Sequence, residues 1–165
     1  MSKIKNEAKI TDDAMVNNVR KAIEHRATWM GLILDEAAKK GWDYEQIGRA
    51  AVKATGCMHG EGICGRKCGD TLPDFQKAFL DELGQKLFEM DITACDEEKL
   101  EVEFHYCALV NAWKKLGFSD ERIELLCDIA MDGDRGIAEA NGLDFKLGKT
   151  IAQGYDICEV NFYKK

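Results

Sequence analysis

Three groups of side chains in this 165-residue chain have types and spacings that could do chemistry. The first is Glu103, His105 and Cys107. Alternate residues of a strand project from one face, with neighbours about 7 Å apart, and a thiol beside an imidazole is the minimum for cysteine nucleophilic catalysis. Cys107 falls where the next helix should begin, and the partial positive charge of a helix N-terminus favours thiolate. Glu103 could orient the imidazole. The same residues also read as an exposed Glu/His face followed by a structural cysteine.

The second group is Cys127, Met131, Asp134 and Arg135. On a continuous helix Cys127, Met131 and Asp134 share a face. Gly133 and Gly136 each weaken such a helix by about 1 kcal/mol, which implies that the backbone turns here or comes close to something. Arg135 could hold a substrate carboxylate in a bidentate pair, and Asp134 could act as a base or as the partner of Arg135. A helix end with a surface ion pair is the plainer alternative. The third group is Cys57, His59, Cys64 and Cys68 in a glycine-rich stretch. Soft ligands this close could hold zinc or iron, although their spacing fits no finger or ferredoxin pattern; a flexible or redox-sensitive loop competes with that reading. Cys158 shares the apolar face of its strand with Val160 and Phe162 and reads as core, unless the core borders the site.

The elements that must position these residues follow from periodicity. Met15, Val19, Ile23, Met30, Ile33 and Leu34 recur at helical spacing, so Ala14 to Lys40 is expected to be one long helix stopped by Gly41. Asp43 to Thr55 is expected to be a second, and Gly56 to Asp70 a loop on its glycine content. Thr71 and Asp74 have capping-box spacing ahead of a helix with Phe75, Phe79, Leu83 and Leu87 as its stripe. Cys95 is expected in a loop. Lys99 to Tyr106 alternates as a half-buried strand. Ala108 to Leu116 returns to a helix, Ser119 caps the next, and Leu143–Ala152 and Ile157–Tyr163 form a closing hairpin around Gln153 to Asp156. The expectation is a single α+β domain over residues 1–165. Residues 1–95 are mainly helical, and 96–165 carry strand, helices and hairpin in a small antiparallel sheet. The stripe on the first helix could equally serve core packing or a homodimer interface.

Composition narrows the class. A formal charge of −7 without a basic stripe argues against nucleic acid, which needs clustered cations. The longest apolar run, Ala27 to Leu34, is far short of the roughly 20 residues that cross a bilayer. The residues after Met1 have no apolar core of a secretory leader, so a cytoplasmic location is expected, with the seven cysteines as reduced thiols.

Phe104-His105-Tyr106-Cys107-Ala108-Leu109-Val110, Trp113 to Gly117, Leu126-Cys127-Asp128, Asp132-Gly133-Asp134-Arg135-Gly136, and Lys149 to Gly154 leading to Cys158 together resemble the L-2-amino-thiazoline-4-carboxylic acid hydrolase family. The resemblance runs from about Leu100 to Tyr163. It implies hydrolysis of a cyclic amidine-like ring bearing a carboxylate: water adds at ring carbon 2 and an N-carbamoyl amino thiol results. By that likeness Cys107, Cys127, Asp134 and Cys158 are the positions to expect in the site, with His105 and Arg135 next. Cys107 would attack the ring carbon with His105 moving the proton, Asp134 or His105 would activate water, and Arg135 would anchor the carboxylate. This mechanism requires no cofactor. A zinc version would instead use Cys107, Cys127 and Cys158 with His105 or Asp134 as ligands. The competing class is a cysteine-lined sensor for a small molecule or metal without turnover; the run from Gly154 through Cys158 to Phe162 is faintly similar to the small-molecule-binding domain of the 4-vinyl reductase type.

Overall fold

The computed structural model describes residues 2–67 and 69–165. Its elements run α1 (Ala14–Lys39), α2 (Tyr44–Cys64), α3 (Leu72–Phe79), α4 (Glu82–Phe88), β1 (Met90–Cys95), β2 (Lys99–Phe104), α5 (Ala108–Lys115), α6 (Asp120–Ala130), α7 (Asp132–Ala140), β3 (Leu143–Leu147), a short 3-10 helix (Ile151–Gln153) and β4 (Cys158–Lys164). The expected α+β class with a helical N-terminal half is what forms.

Local chemistry explains most starts and stops. Asp13 accepts from the Met15 and Val16 amides at the head of α1, and Ser119 accepts from Arg122 N at the head of α6, satisfying donors that a helix N-terminus leaves free. Thr71 and Asp74 form the expected capping box on α3. The stripe that reads as one helix is cut, however, because Asp81 accepts from Gly84 N and starts α4 afresh.

The expected loop at 56–70 is corrected by α2, which continues to Cys64. Gly56 and Gly60 of this helix are contact residues. A Cβ on Gly56 would collide with the Gly133 carbonyl of α7, one on Gly60 would lie 2.6 Å from Ala140 Cβ, and one on Gly136 would lie 2.5 Å from the Lys53 carbonyl. Small residues on facing sides let two helix backbones approach closely. Both readings offered by Gly133 and Gly136 are realised: the helix breaks at Met131 between α6 and α7, and α7 then lies close against α2. Alanine is the better helix former by about 1 kcal/mol, yet Gly136→Ala is expected to destabilise the protein by about 1–3 kcal/mol through overpacking. A urea midpoint at or above the wild-type value would contradict this contact.

The sheet is antiparallel in the order β1-β2-β4-β3. Strand β1 corrects the expected loop around Cys95; it turns into β2 where Asp96 Oδ1 accepts from the Glu98 and Lys99 amides. Leu100 pairs with Phe162, Val102 with Val160 and Phe104 with Cys158, so alternate residues make one apolar face under the helices. Phe75 and Phe79 of α3 pack on Phe162, one tilted and one edge-on, with ring centroids 5.1 and 5.4 Å away. Trp113 of α5 is fully buried and donates its indole N–H to Ala27 O of α1 at 2.9 Å. The other side of α1 leaves Met15, Trp29, Leu32 and Ile33 exposed. No helix among the described residues is long and apolar enough to cross a membrane.

Candidate functional site

Strand β2 ends at Phe104 and the chain turns sharply, because both His105 N and Tyr106 N donate to Phe88 O instead of continuing the ladder. Cys107 therefore arrives as the N-cap of α5. Its backbone is clamped by one side chain: Asn6 Nδ2 donates to Cys107 O at 2.8 Å, and Cys107 N donates to Asn6 Oδ1 at 2.9 Å. The thiol lies at the helix start near the free amides of Val110 and Leu109, although it makes no cap hydrogen bond. These amides favour thiolate, as expected at a helix start. Burial outweighs them, and the Cys107 thiol is pushed above its ordinary range. The expectation that the helix end makes this thiol acidic at rest is thereby corrected.

Cys107 does not stand alone. Burial pushes the Cys127 thiol of α6 well up, and the neighbouring Cys107, Cys158, Asp128 and Asp134 push it further. The Cys158 thiol at the start of β4 is pushed up to about 12, by burial first and then by Cys107, although Ile151 N donates to its sulfur at 3.2 Å. Asp134 of α7 is raised to about 6, because loss of water outweighs its own backbone amide and the cations Arg135 and Arg26. Asp134 and Arg26 both act on Cys107 as well. The start of α5, the C-terminal half of α6, the start of α7 and the head of β4 thus place Cys127 and Cys158 within electrostatic range of Cys107, and Asp134 within range of Cys107 and Cys127. Cys107 and Asp134 keep part of their surface, while Cys127 and Cys158 are buried. The protein around the first two is nevertheless dense enough for desolvation to dominate. Cys127 also borders a groove of about 410 Å³ with Asp128, Thr150 and Gln153.

Other expected members go elsewhere. His105 Nε2 lies 3.0 Å from Asp91 Oδ2 and 3.9 Å from Glu103 Oε2. It lines a different groove, one that does not include Cys107. The linear Glu103–His105–Cys107 arrangement is lost because the strand stops before Cys107. Arg135 spends its fork within the fold, donating to Asp128 Oδ1 and Asp132 Oδ1 at 2.7 Å each and to Asp128 O at 3.0 Å. Asp134 is not its ion-pair partner. Arg49 of α2 joins the same cluster through Asp128 Oδ2 at 2.6 Å and Asp132 Oδ2 at 3.1 Å. Although burial pulls the Asp128 carboxyl up, the bonds from Arg135 and Arg49 hold it below the usual range.

Cys57, His59 and Cys64 all lie on α2, where Cys57 and His59 point about 160° apart around the helix. Cys68 lies outside the described residues. Among the described residues no three His, Cys, Asp or Glu side chains gather as metal ligands. Reasoning from spacing missed Asn6 and Arg26. Neither has a local signature, since one is a polar residue in an irregular N-terminal segment and the other one of many charges on α1.

The family model for L-2-amino-thiazoline-4-carboxylic acid hydrolase matches residues 20–162, so the match takes in Arg26 and the first helices as well as the C-terminal motifs. No curated protein and no solved structure matches the chain.

Proposed function

The chain belongs to the L-2-amino-thiazoline-4-carboxylic acid hydrolase family, and from that premise we propose that it opens a small cyclic amidine carboxylate ring at Cys107, with Asp134 as the proton acceptor. The observation that carries this reading is the convergence of Cys107 and Asp134, each raised by burial and each sensing the same Arg26. A carboxyl near 6 is ionised at neutral pH and basic enough to take a proton from a neighbouring thiol as it attacks.

Asp134 takes the Cys107 proton while the sulfur adds to ring carbon 2. The ring carbon–sulfur bond breaks, and the ring sulfur leaves as a thiol using that proton. The substrate is then held on Cys107 as an S-linked isothiourea. Water adds to the same carbon, giving a proton to Asp134; the bond to Cys107 breaks, and the N-carbamoyl amino thiol departs as Cys107 recovers its proton. One water is consumed. The amides of Leu109 and Val110 stabilise the Cys107 thiolate whenever it forms. Cys127 and Cys158 stay protonated and line the floor beneath the ring. Arg26, whose helix neighbour Glu24 is taken by Asn111 and Lys115, receives the substrate carboxylate in place of Arg135.

Incubation with 2-amino-thiazoline-4-carboxylate tests the reading through new thiol and N-carbamoyl product, seen with a thiol reagent and by mass spectrometry. Saturable binding without product would favour a sensor instead. Arg26→Ala is expected to raise KM about 10- to 100-fold with little change in kcat, because a carboxylate anchor binds ground and transition states alike. Arg135→Ala is expected to lower the unfolding midpoint, since it removes one of the two guanidinium groups that Asp128 and Asp132 share and leaves them to Arg49 alone. Equal KM in wild type and Arg26→Ala would remove Arg26 from the site.

A further inference from the structure

We propose that the groove beside His105 is a second ligand site, separate from the Cys107 cluster, for a small molecule carrying a primary ammonium group. The groove has a volume of about 410 Å³ and is bordered by Lys9, Ile10, Glu89, Met90, Asp91 and His105, among others.

Glu89 makes the case. Its side chain is only 7% exposed. One carboxylate oxygen, Oε1, accepts from Lys9 N and Ile10 N at 2.8 Å and from Arg20 Nη2 at 3.0 Å. The other, Oε2, is buried and has no hydrogen-bond partner among the described residues. A charged oxygen left this way is a rarity in folded proteins, and an N–H donor reaching it would make a charge-assisted bond with little competition from water. Glu89 holds this position through a left-handed backbone (φ 52°) at the join of α4 and β1.

The surroundings select the donor. Asp91, two residues on, presents an exposed carboxylate bonded to His105 Nε2, and Glu82 adds a third acidic group already paired with Lys86. Arg20 pairs with Glu89 and offsets one charge, and Lys9, which also borders the groove, offsets part of a second. A carboxylate or phosphate would meet Glu89 and Asp91 as like charges. An ammonium has three protons, enough for Glu89 Oε2 and for Asp91, and its carbon chain can lie along Ile10 and Met90. The site also gives a role to His105, which borders this groove and bonds Asp91.

The test is a titration of the ¹⁵N-labelled full chain with butylammonium, with butyrate and tetramethylammonium as controls. Saturable shifts are expected at the amides of Lys9, Ile10, Met90 and His105 with butylammonium alone. Asp91→Asn, which leaves the Cys107 cluster untouched, is expected to weaken binding at least about threefold, and Glu89→Gln at least about tenfold. Should Glu89→Gln fail to fold, Asp91→Asn decides. Absence of saturation, equal shifts with tetramethylammonium, or wild-type affinity in the variants would overturn the proposal. The outcome is independent of whether the protein opens a thiazoline ring.

Discussion

Cys107→Ala is expected to lower turnover of the cyclic substrate by at least about a thousandfold, the loss that follows when a covalent nucleophile is removed and only binding and polar contacts remain. The fold should survive. The clamp from Asn6 acts on the backbone of residue 107 and is indifferent to its side chain. Cys107→Ser makes the sharper comparison. A serine oxygen is a better N-cap than sulfur, so it can accept from the first amides of α5 and hold or raise stability. Its hydroxyl is too weak an acid for the Asp134 carboxylate to ionise, and it leaves the carbon poorly, so turnover should fall about as far as with alanine. Full activity in Cys107→Ala on every accepted substrate would rule the nucleophile out and return attention to Cys127. Because the resting thiol is raised by burial, alkylation of Cys107 at neutral pH should be slow without substrate and should speed up as pH rises toward 9.

Asp134→Asn should damage function and improve stability together. In the folded protein burial raises this carboxyl from its ordinary 3.8 to about 6. Between those two pH values the folded chain holds a proton that the unfolded chain has released, so stability declines as pH rises through the interval and stays reduced above it. Asparagine carries no charge and abolishes that loss. The variant should therefore gain about 1–2 kcal/mol at pH 7, less than the full shift would give because Asp134 keeps some contact with water, and nothing below pH 4. Urea unfolding at both pH values measures it. Turnover should fall about 10²- to 10³-fold, and the wild-type kcat/KM should rise with pH through about 6, a limb the variant lacks. A gain of the same size at pH 4 and pH 7 would show that the charge is not its source.

How far the sequence could be read follows from how local each cause is. The capping box at Thr71 and Asp74, the Ser119 cap, the stripe of α1 and the alternation of β2 are set within a few residues, so they were legible. Strand β1 was not, because Met90, Ile92 and Ala94 alternate too weakly beside Asp91 and Thr93. The glycines of α2 misled for the opposite reason. Each is locally unfavourable to a helix by about 1 kcal/mol, but together Gly56 and Gly60 let α2 lie against Gly133 and Gly136, and packing over that contact outweighs the local loss.

The candidate site divides in the same way. The sequence by itself determined the α+β class, the family, and the four positions Cys107, Cys127, Asp134 and Cys158 as the residues to watch. Only the tertiary structure decided that Cys107 lies within electrostatic range of Cys127, Asp134, Cys158 and Arg26, that His105 turns to Asp91, and that Arg135 is spent on Asp128 and Asp132. Spacing along a chain specifies direction only while one element persists. Where β2 ends at Phe104 that rule lapses, and which groups share a desolvated space depends on how α1, α5, α6, α7 and β4 pack.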